Sequence, residues 1–345
     1  MKNIQDLKGK KIAIDDVVTT YSQKKASHKS AWSYLLQAQL KHHGLDVDVL
    51  DKSGNIHDYD VWLIAMPMEF QGTYNLFGGA GDEPAARIAR FLDFNGDIFC
   101  LNREMPDVGE FVRSRSKSCT ENWKALDDLA ISEKCKNLKT INLKTDTGTF
   151  VLGDSHSVSV MPLGSDISRN DGKTLFGALK EGFSTYIPEG TTHLISYFGN
   201  IDVRHHMCRQ ADPVMSIRRI AMDYIDHLKS LDVPNITVHK LLPIEFEGRR
   251  IPKTGWYKKA PFFGTREERA NLVKIFNRTI QDLGESAGFT ILGWPDHWYS
   301  ENPESFAKNY MEKPGSVHLS REFYYWDWNT GNKNSNLIQK TASLF

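Results

Sequence analysis

Phe150-Val151-Leu152-Gly153-Asp154-Ser155-His156-Ser157 is the stretch on which the reading of this chain turns. A short apolar run stops at Gly-Asp-Ser and then heads toward a helix. A buried strand delivers a hydroxyl to the lip of an α/β sheet in this way. A serine placed there becomes an exposed nucleophile when a histidine reaches it from elsewhere in the chain.

Outward from this stretch, strands and helices alternate. Thr149–Leu152 reads as a strand, and His193–Phe198 as another that ends at Gly199. Pro213–Leu231 has helical spacing, with Ile217, Ile220, Ala221, Tyr224, Ile225 and Leu228 on one face. Ile236–Leu242 is a further strand. Thr265–Gly288 is a long helix with Thr265 as N-cap and two glutamates in its first turn, and Phe289–Leu292 follows as a strand. The first half shows the same rhythm. Lys11–Asp16, Leu45–Leu50, Asp60–Met66 and Asp97–Leu101 read as strands, with helices over Ser30–His43 and Glu83–Asn95. Thr140–Thr147 is polar and reads as a linker or an edge strand. The pattern predicts an α/β chain of two Rossmann-like or flavodoxin-like domains with mainly parallel sheets, at 1–145 and 146–345, and without an internal repeat.

With 345 residues, 40% of them hydrophobic and 25% charged, the chain is long enough for two ordinary cores. A formal net charge of zero argues against a general polyanion binder. The polar stretch Met1–Lys11 has neither the apolar core of a signal peptide nor a membrane-spanning run. The four cysteines, Cys100, Cys119, Cys135 and Cys208, include no CxxC pair, which reads as reduced thiols in a cytoplasmic protein. No cofactor is called for. His205, His206 and Cys208 lie too close together, without a partner cluster, to argue for a metal.

Ser155 is a poor nucleophile without a base. His318 follows Pro314-Gly315, a turn able to present its ring over the carboxyl edge of the sheet. His156 is a second candidate base, although side chains adjacent at a strand end point to opposite faces. Asn200 is the nearest amide for an oxyanion, and Gly177 or Gly172 the candidate glycine N–H. Asp202, Arg204, His205 and His206 form a polar cluster past a strand end. They read either as a substrate-anion site or as a buried Asp202–Arg204 ion pair holding the loop.

In order, Gly153-Asp154-Ser155, Phe198-Gly199-Asn200-Ile201-Asp202, the helix carrying Phe276-Asn277, and Ser316-Val317-His318-Leu319-Ser320 resemble the SGNH, or GDSL, hydrolases and acyltransferases over roughly Thr149–Phe323. The resemblance implies a serine esterase or acyl transferase. Ser155 would be the nucleophile and His318 its base, Asn200 would serve the oxyanion, and Asp154 stands within the catalytic motif. Substrate contacts would come from Gly177, Asp202, Arg204 and His205. Three residues before the histidine, where that family keeps an aspartate, this chain has Gly315, so Glu312 and Asp296 are the alternative orienting acids.

Trp32–Pro106, with Phe77-Gly78-Gly79-Ala80-Gly81 and Ile98–Leu101, resembles the amino-terminal half of phage DNA β-glucosyltransferases. There the family's acidic base would fall at Asn102, followed by Arg103 and Glu104. Arg249, Arg250, Lys253, Lys258 and Lys259 surround Trp256 and Tyr257, a pairing suited to a phosphate backbone and a stacked base or to a solvated loop. Arg113, Arg115 and Lys117 form a smaller basic run. The expectation is an enzyme acting on a small-molecule or glycan ester, with nucleic acid as a possible partner and no membrane. The alternatives are a two-domain glycosyltransferase, for example one modifying DNA, and a binding module with a degenerate SGNH domain.

Overall fold

The computed structural model describes residues 2–15, 37–38, 40–50, 54–64, 89–101, 128–136, 139–142, 148–162, 164–170, 172–246, 257, 260, 262–312, 316–325 and 339–340. The chain divides into two compact units, Met1–Asp146 and Thr147–Phe345.

In the first unit, β1 (Lys2–Asn3), β2 (Lys11–Asp15), β3 (Asp46–Val49), β4 (Val61–Ile64), β5 (Asp97–Leu101) and β6 (Lys139–Asn142) form one sheet in the order β1-β6-β5-β4-β2-β3, every pair parallel. Ile12, Ile14, Val47, Val61, Leu63 and Phe99 are buried in its core, as expected of parallel strands covered on both faces. The polar stretch read as a linker or edge strand contributes β6, which is not an edge: it pairs on both sides, and the two-residue β1 takes the outer place. The helix α1 (Asp128–Cys135) precedes β6.

The second unit contains β7 (Thr149–Asp154), β8 (Asp166–Asn170), β9 (His193–Tyr197), β10 (Asn235–His239), β11 (Thr290–Gly293) and β12 (Gln339–Lys340), in the order β12-β11-β10-β9-β7-β8. Its pairs are parallel except β11 with β12. Helices α2 (Leu175–Glu181), α3 (Pro213–Lys229), α4 (Arg266–Ser286), α5 (Asp296–Ser300) and α6 (Pro303–Asn309) complete the described elements used below. The edge strand β8 and the short helix α2 are not expected from the sequence. In β8 the polar run Asp166-Ile-Ser-Arg-Asn hides the strand, although Arg169 is fully buried.

One face of this sheet is covered by a continuous apolar cluster. Phe150, Leu152, Leu194, Ile236, Val238 and Ile291 from the strands meet the apolar stripe of α3 and Leu272, Val273, Phe276 and Ile280 of α4. Each such aliphatic side chain contributes roughly 1.5–3 kcal/mol by leaving water. The start of α4 is a full capping box: Thr265 Oγ1 accepts the Glu268 N–H at 3.1 Å, and Glu268 Oε2 accepts the Thr265 N–H at 2.6 Å.

Without β1 and β12, both sheets have the same arrangement: the first strand lies second from one edge, the second strand outside it, and the later strands extend the other way. The sequence shows no repeat, yet the architecture repeats. This is the flavodoxin-like order, whose ligand crevice opens at the carboxyl ends of the two strands flanking the reversal. In the second unit those strands are β7, which leads into Ser155, and β9, which leads into Asn200.

Candidate active site

Two glycines shape the crevice. Gly153 lies so close to β9 that an added Cβ would meet the Tyr197 carbonyl oxygen at 2.4 Å and Ser157 Cβ at 2.5 Å. Gly199 has φ of 120°, and a Cβ there would meet Phe276 at 3.1 Å, so both the backbone and the packing call for glycine. After Asp154 the chain turns at once into a short 3-10 helix, Ser157–Val160, and three hydrogen bonds tighten the turn. Ser157 Oγ donates to the Asp154 carbonyl at 2.8 Å, and Ser159 donates from Oγ at 2.6 Å and from N at 2.9 Å to the His156 carbonyl.

Ser155, only 8% exposed, holds its Oγ 2.8 Å from His318 Nε2. With the hydroxyl as donor, as a base at Nε2 requires, the ring proton sits on Nδ1. The segment carrying His318 is braced by an isolated bridge between Met311 and Leu319 and by the Glu312 N–H, which donates to the His318 carbonyl at 3.0 Å. Glu312 also accepts from Ser316 Oγ at 2.8 Å, and Ser316 Oγ accepts the His318 N–H at 3.1 Å. Of the two alternative acids, Glu312 therefore braces the His318 segment, whereas Asp296 begins α5. Gly315 lies outside the described residues.

Asn200 is buried, and its Nδ2 has no hydrogen-bond partner. The neighbouring Tyr197 hydroxyl accepts the Leu242 N–H at 3.1 Å, and burial holds this phenol well above its ordinary pKa, with the Asn200 side chain pulling in the opposite direction. A buried amide donor that meets no full hydrogen-bond geometry is uncommon, and this one follows β9 at the crevice between β7 and β9.

Other expectations require correction. His156 does not compete for Ser155: its Nδ1 lies 2.8 Å from Asp154 Oδ1 and its Nε2 3.0 Å from the Val317 carbonyl, so both ring nitrogens are engaged elsewhere. The Gly177 N–H donates to Thr174 Oγ1 at 3.0 Å as part of the α2 cap, which removes it as an oxyanion donor. Asp202 and Arg204 do not pair. Asp202 accepts the Leu175 and Phe176 N–H groups at 2.7 and 3.2 Å, at the start of α2, while Arg204 Nε lies 3.0 Å from Glu245. Burial pushes the Asp202 carboxyl up to about 7, against the pull of those two amides and with further help from the charge of Asp154. The His205 ring stacks on Phe262 with centroids 5.2 Å apart, and Arg209 lies over the Tyr257 ring at 4.1 Å.

Arg249, Arg250, Lys253, Trp256, Lys258 and Lys259 lie outside the described residues, as do Gly78, Gly79, Gly81, Asn102, Arg103, Glu104 and the Arg113–Lys117 run. Among the described residues no cluster of His, Cys, Asp or Glu is arranged to hold a metal ion, and no helix is long and apolar enough to cross a membrane. A cavity of about 780 Å³ at the amino end of α4, lined by Ile244, Thr265, Arg266, Asn271, Tyr299 and Glu301 among others, includes neither Ser155 nor His318.

No family model matches the chain, and no curated protein does. Among solved structures, a lipase/acylhydrolase from Enterococcus faecalis is similar at 14% identity and a TM-score of 0.34, over 50% of this chain and 87% of that one. BT4096, a gut microbial diltiazem-metabolizing enzyme, is similar at 15% identity and a TM-score of 0.31, over 44% of this chain and 37% of that one. Both likenesses are distant.

Proposed function

We propose that the second unit is an SGNH-type serine esterase or acyl transferase acting on a polar ester. The observation that supports this best is the 2.8 Å contact between Ser155 Oγ and His318 Nε2 at the strand-order reversal of the sheet. Beside it, the buried Asn200 amide, whose Nδ2 meets no full hydrogen-bond geometry, supports a place for the dyad to put negative charge.

In this reading His318 takes the Ser155 proton as Oγ attacks the acyl carbonyl. The tetrahedral oxyanion accepts a hydrogen bond from Asn200 Nδ2. His318 then returns the proton to the departing alkoxide, leaving an acyl-Ser155 ester. Water resolves that ester in a hydrolase, and an acceptor hydroxyl does so in a transferase. The test is labelling of the full chain with a fluorophosphonate probe, alongside release of p-nitrophenol from p-nitrophenyl acetate. Label mapped to Ser155 and lost in Ser155→Ala is the expected result. A wild-type protein that takes no label, or Ser155→Ala that retains full turnover, overturns the reading.

A further inference from the structure

His156 faces two hydrogen-bond acceptors, more than a neutral imidazole can satisfy. The Val317 carbonyl at 3.0 Å only accepts, so Nε2 carries a proton. At Nδ1, 2.8 Å from Asp154 Oδ1, a second proton must lie between ring and carboxyl. That same Oδ1 also accepts the His156 backbone N–H at 2.9 Å, which favours the ionised carboxylate and leaves the proton on the ring. Burial opposes an isolated charge on either group: Asp154 is fully buried and its Oδ2 has no hydrogen-bond partner, so an ionised Asp154 is sustained only with a cation directly against it. The imidazole that provides one stacks on the His318 ring, with centroids 4.8 Å apart and planes 27° from parallel.

We propose that His156, held as an imidazolium by Asp154, is a positioning residue that clasps the Val317 carbonyl and seats the His318 ring on Ser155. This rests on the dyad reading above and adds to it a residue that touches neither substrate nor reacting atoms. It acts in two ways. Bonding the peptide just before His318 fixes that ring from the nucleophile side, complementing the Met311–Leu319 bridge on the other. A positive ring stacked on His318 also disfavours a second positive charge there, keeping His318 in the neutral form that a general base requires. The titratable groups around the stacked pair are Asp154 at the end of β7, Tyr197 on β9 with His239 behind it, Asp202 beyond β9 within the field of Asp154, and Glu312 in the His318 segment.

Two variants of the full chain separate these effects. His156→Gln keeps a donor near the Nε2 position, within reach of the Val317 carbonyl, while His156→Asn reaches only Asp154. The rate of fluorophosphonate labelling at Ser155 is measured against pH, and ring nitrogen shifts are read from protein labelled with ¹⁵N-histidine. Labelling should fall about 100-fold in His156→Asn, as expected for a misplaced catalytic group, and stay within about tenfold of wild type in His156→Gln. In both, the acidic limb of the profile should move to higher pH, because the like charge beside His318 is gone. In wild type both His156 ring nitrogens should be protonated at neutral pH. Equal labelling by both variants, an unmoved acidic limb, or a singly protonated His156 ring overturns the proposal while leaving the dyad intact. If wild type takes no label the dyad reading fails instead, and the ring shifts alone decide: a doubly protonated His156 sustains the clasp and a singly protonated one ends it. Should His156→Asn fail to fold in a melting check, the acidic limb of His156→Gln and the wild-type ring shifts decide between the same two outcomes.

Discussion

The two sheets share one strand order, and the polar contacts described in each sit in different surroundings. Among the described residues of the first unit, which do not include those following β2, β4 and β5, ionic contacts lie where strands begin. The Lys11 N–H donates to Asp60 at 2.8 Å, and Asp97 at the start of β5 binds Lys10 at 3.3 Å and Lys139 at the start of β6. These side chains are partly exposed to solvent. In the second unit Asp154, Ser155, His156, Asn200 and Asp202 are buried where β7 and β9 end. Charge at the entering edge of a parallel sheet costs little desolvation and ties neighbouring strands together. Charge buried at the leaving edge is expensive, and such cost is concentrated where chemistry is done.

Several measurements would test this contrast. The largest effect is expected from Ser155→Ala, which should lower ester turnover by about 10³-fold or more while leaving the melting temperature near wild type. Asn200→Ala should lower kcat by about 10²-fold with little change in KM, the pattern of a donor used in the transition state. Gly153→Ala should cost about 1–3 kcal/mol in chemical denaturation, because the new methyl has only backbone and Ser157 to displace.

The pH dependence of stability should differ between the two edges. The folded-state pKa of Asp202 is raised to about 7. Between roughly pH 4 and 7 the native state therefore holds a proton that the unfolded chain releases, and stability falls as pH rises through that window. Asp202→Asn should flatten this slope, which is on the order of a few kcal/mol, in urea titrations at pH 4.5 and 7. Asp97 has the opposite sign. Its hydrogen bond to Lys139 is the main cause holding the carboxyl below its ordinary value, so its contribution is present above that value and is lost as pH falls through the folded pKa. Lys139→Ala should reduce stability by about 0.5 kcal/mol or less at neutral pH, with the difference vanishing in acid.

The residues legible in sequence are those whose role is local. The stripe of α3 follows a 3.6-residue period, the α4 cap is spelled out within Thr265–Glu268, and β7 is an apolar run that stops at the Gly-Asp-Ser turn. The Ser155–His318 pairing can be anticipated only from the order of several motifs, since 163 residues separate the partners. What escapes a sequence reading depends on partners far along the chain. Asp202 takes backbone amides 26 and 27 residues earlier, and no pattern near Asp202 announces them. In sequence His156 belongs with its neighbour Ser155, whereas its Nε2 is claimed by a carbonyl 161 residues away. A glycine N–H such as that of Gly177 reads as available, but Thr174 uses it to begin a helix.

The separation between Ser155 and His318 also has a consequence in time. The serine is synthesised 163 residues before the histidine that would activate it. At translation rates of about 5–20 residues per second, that leaves a gap on the order of 10–30 s. During that gap the nascent chain carries an ordinary alcohol. On the proposed reading, reactivity would switch on only when the segment around Met311–Leu319 has emerged and docked, so a shorter nascent chain would stay chemically silent and the appearance of labelling would report that this segment has arrived.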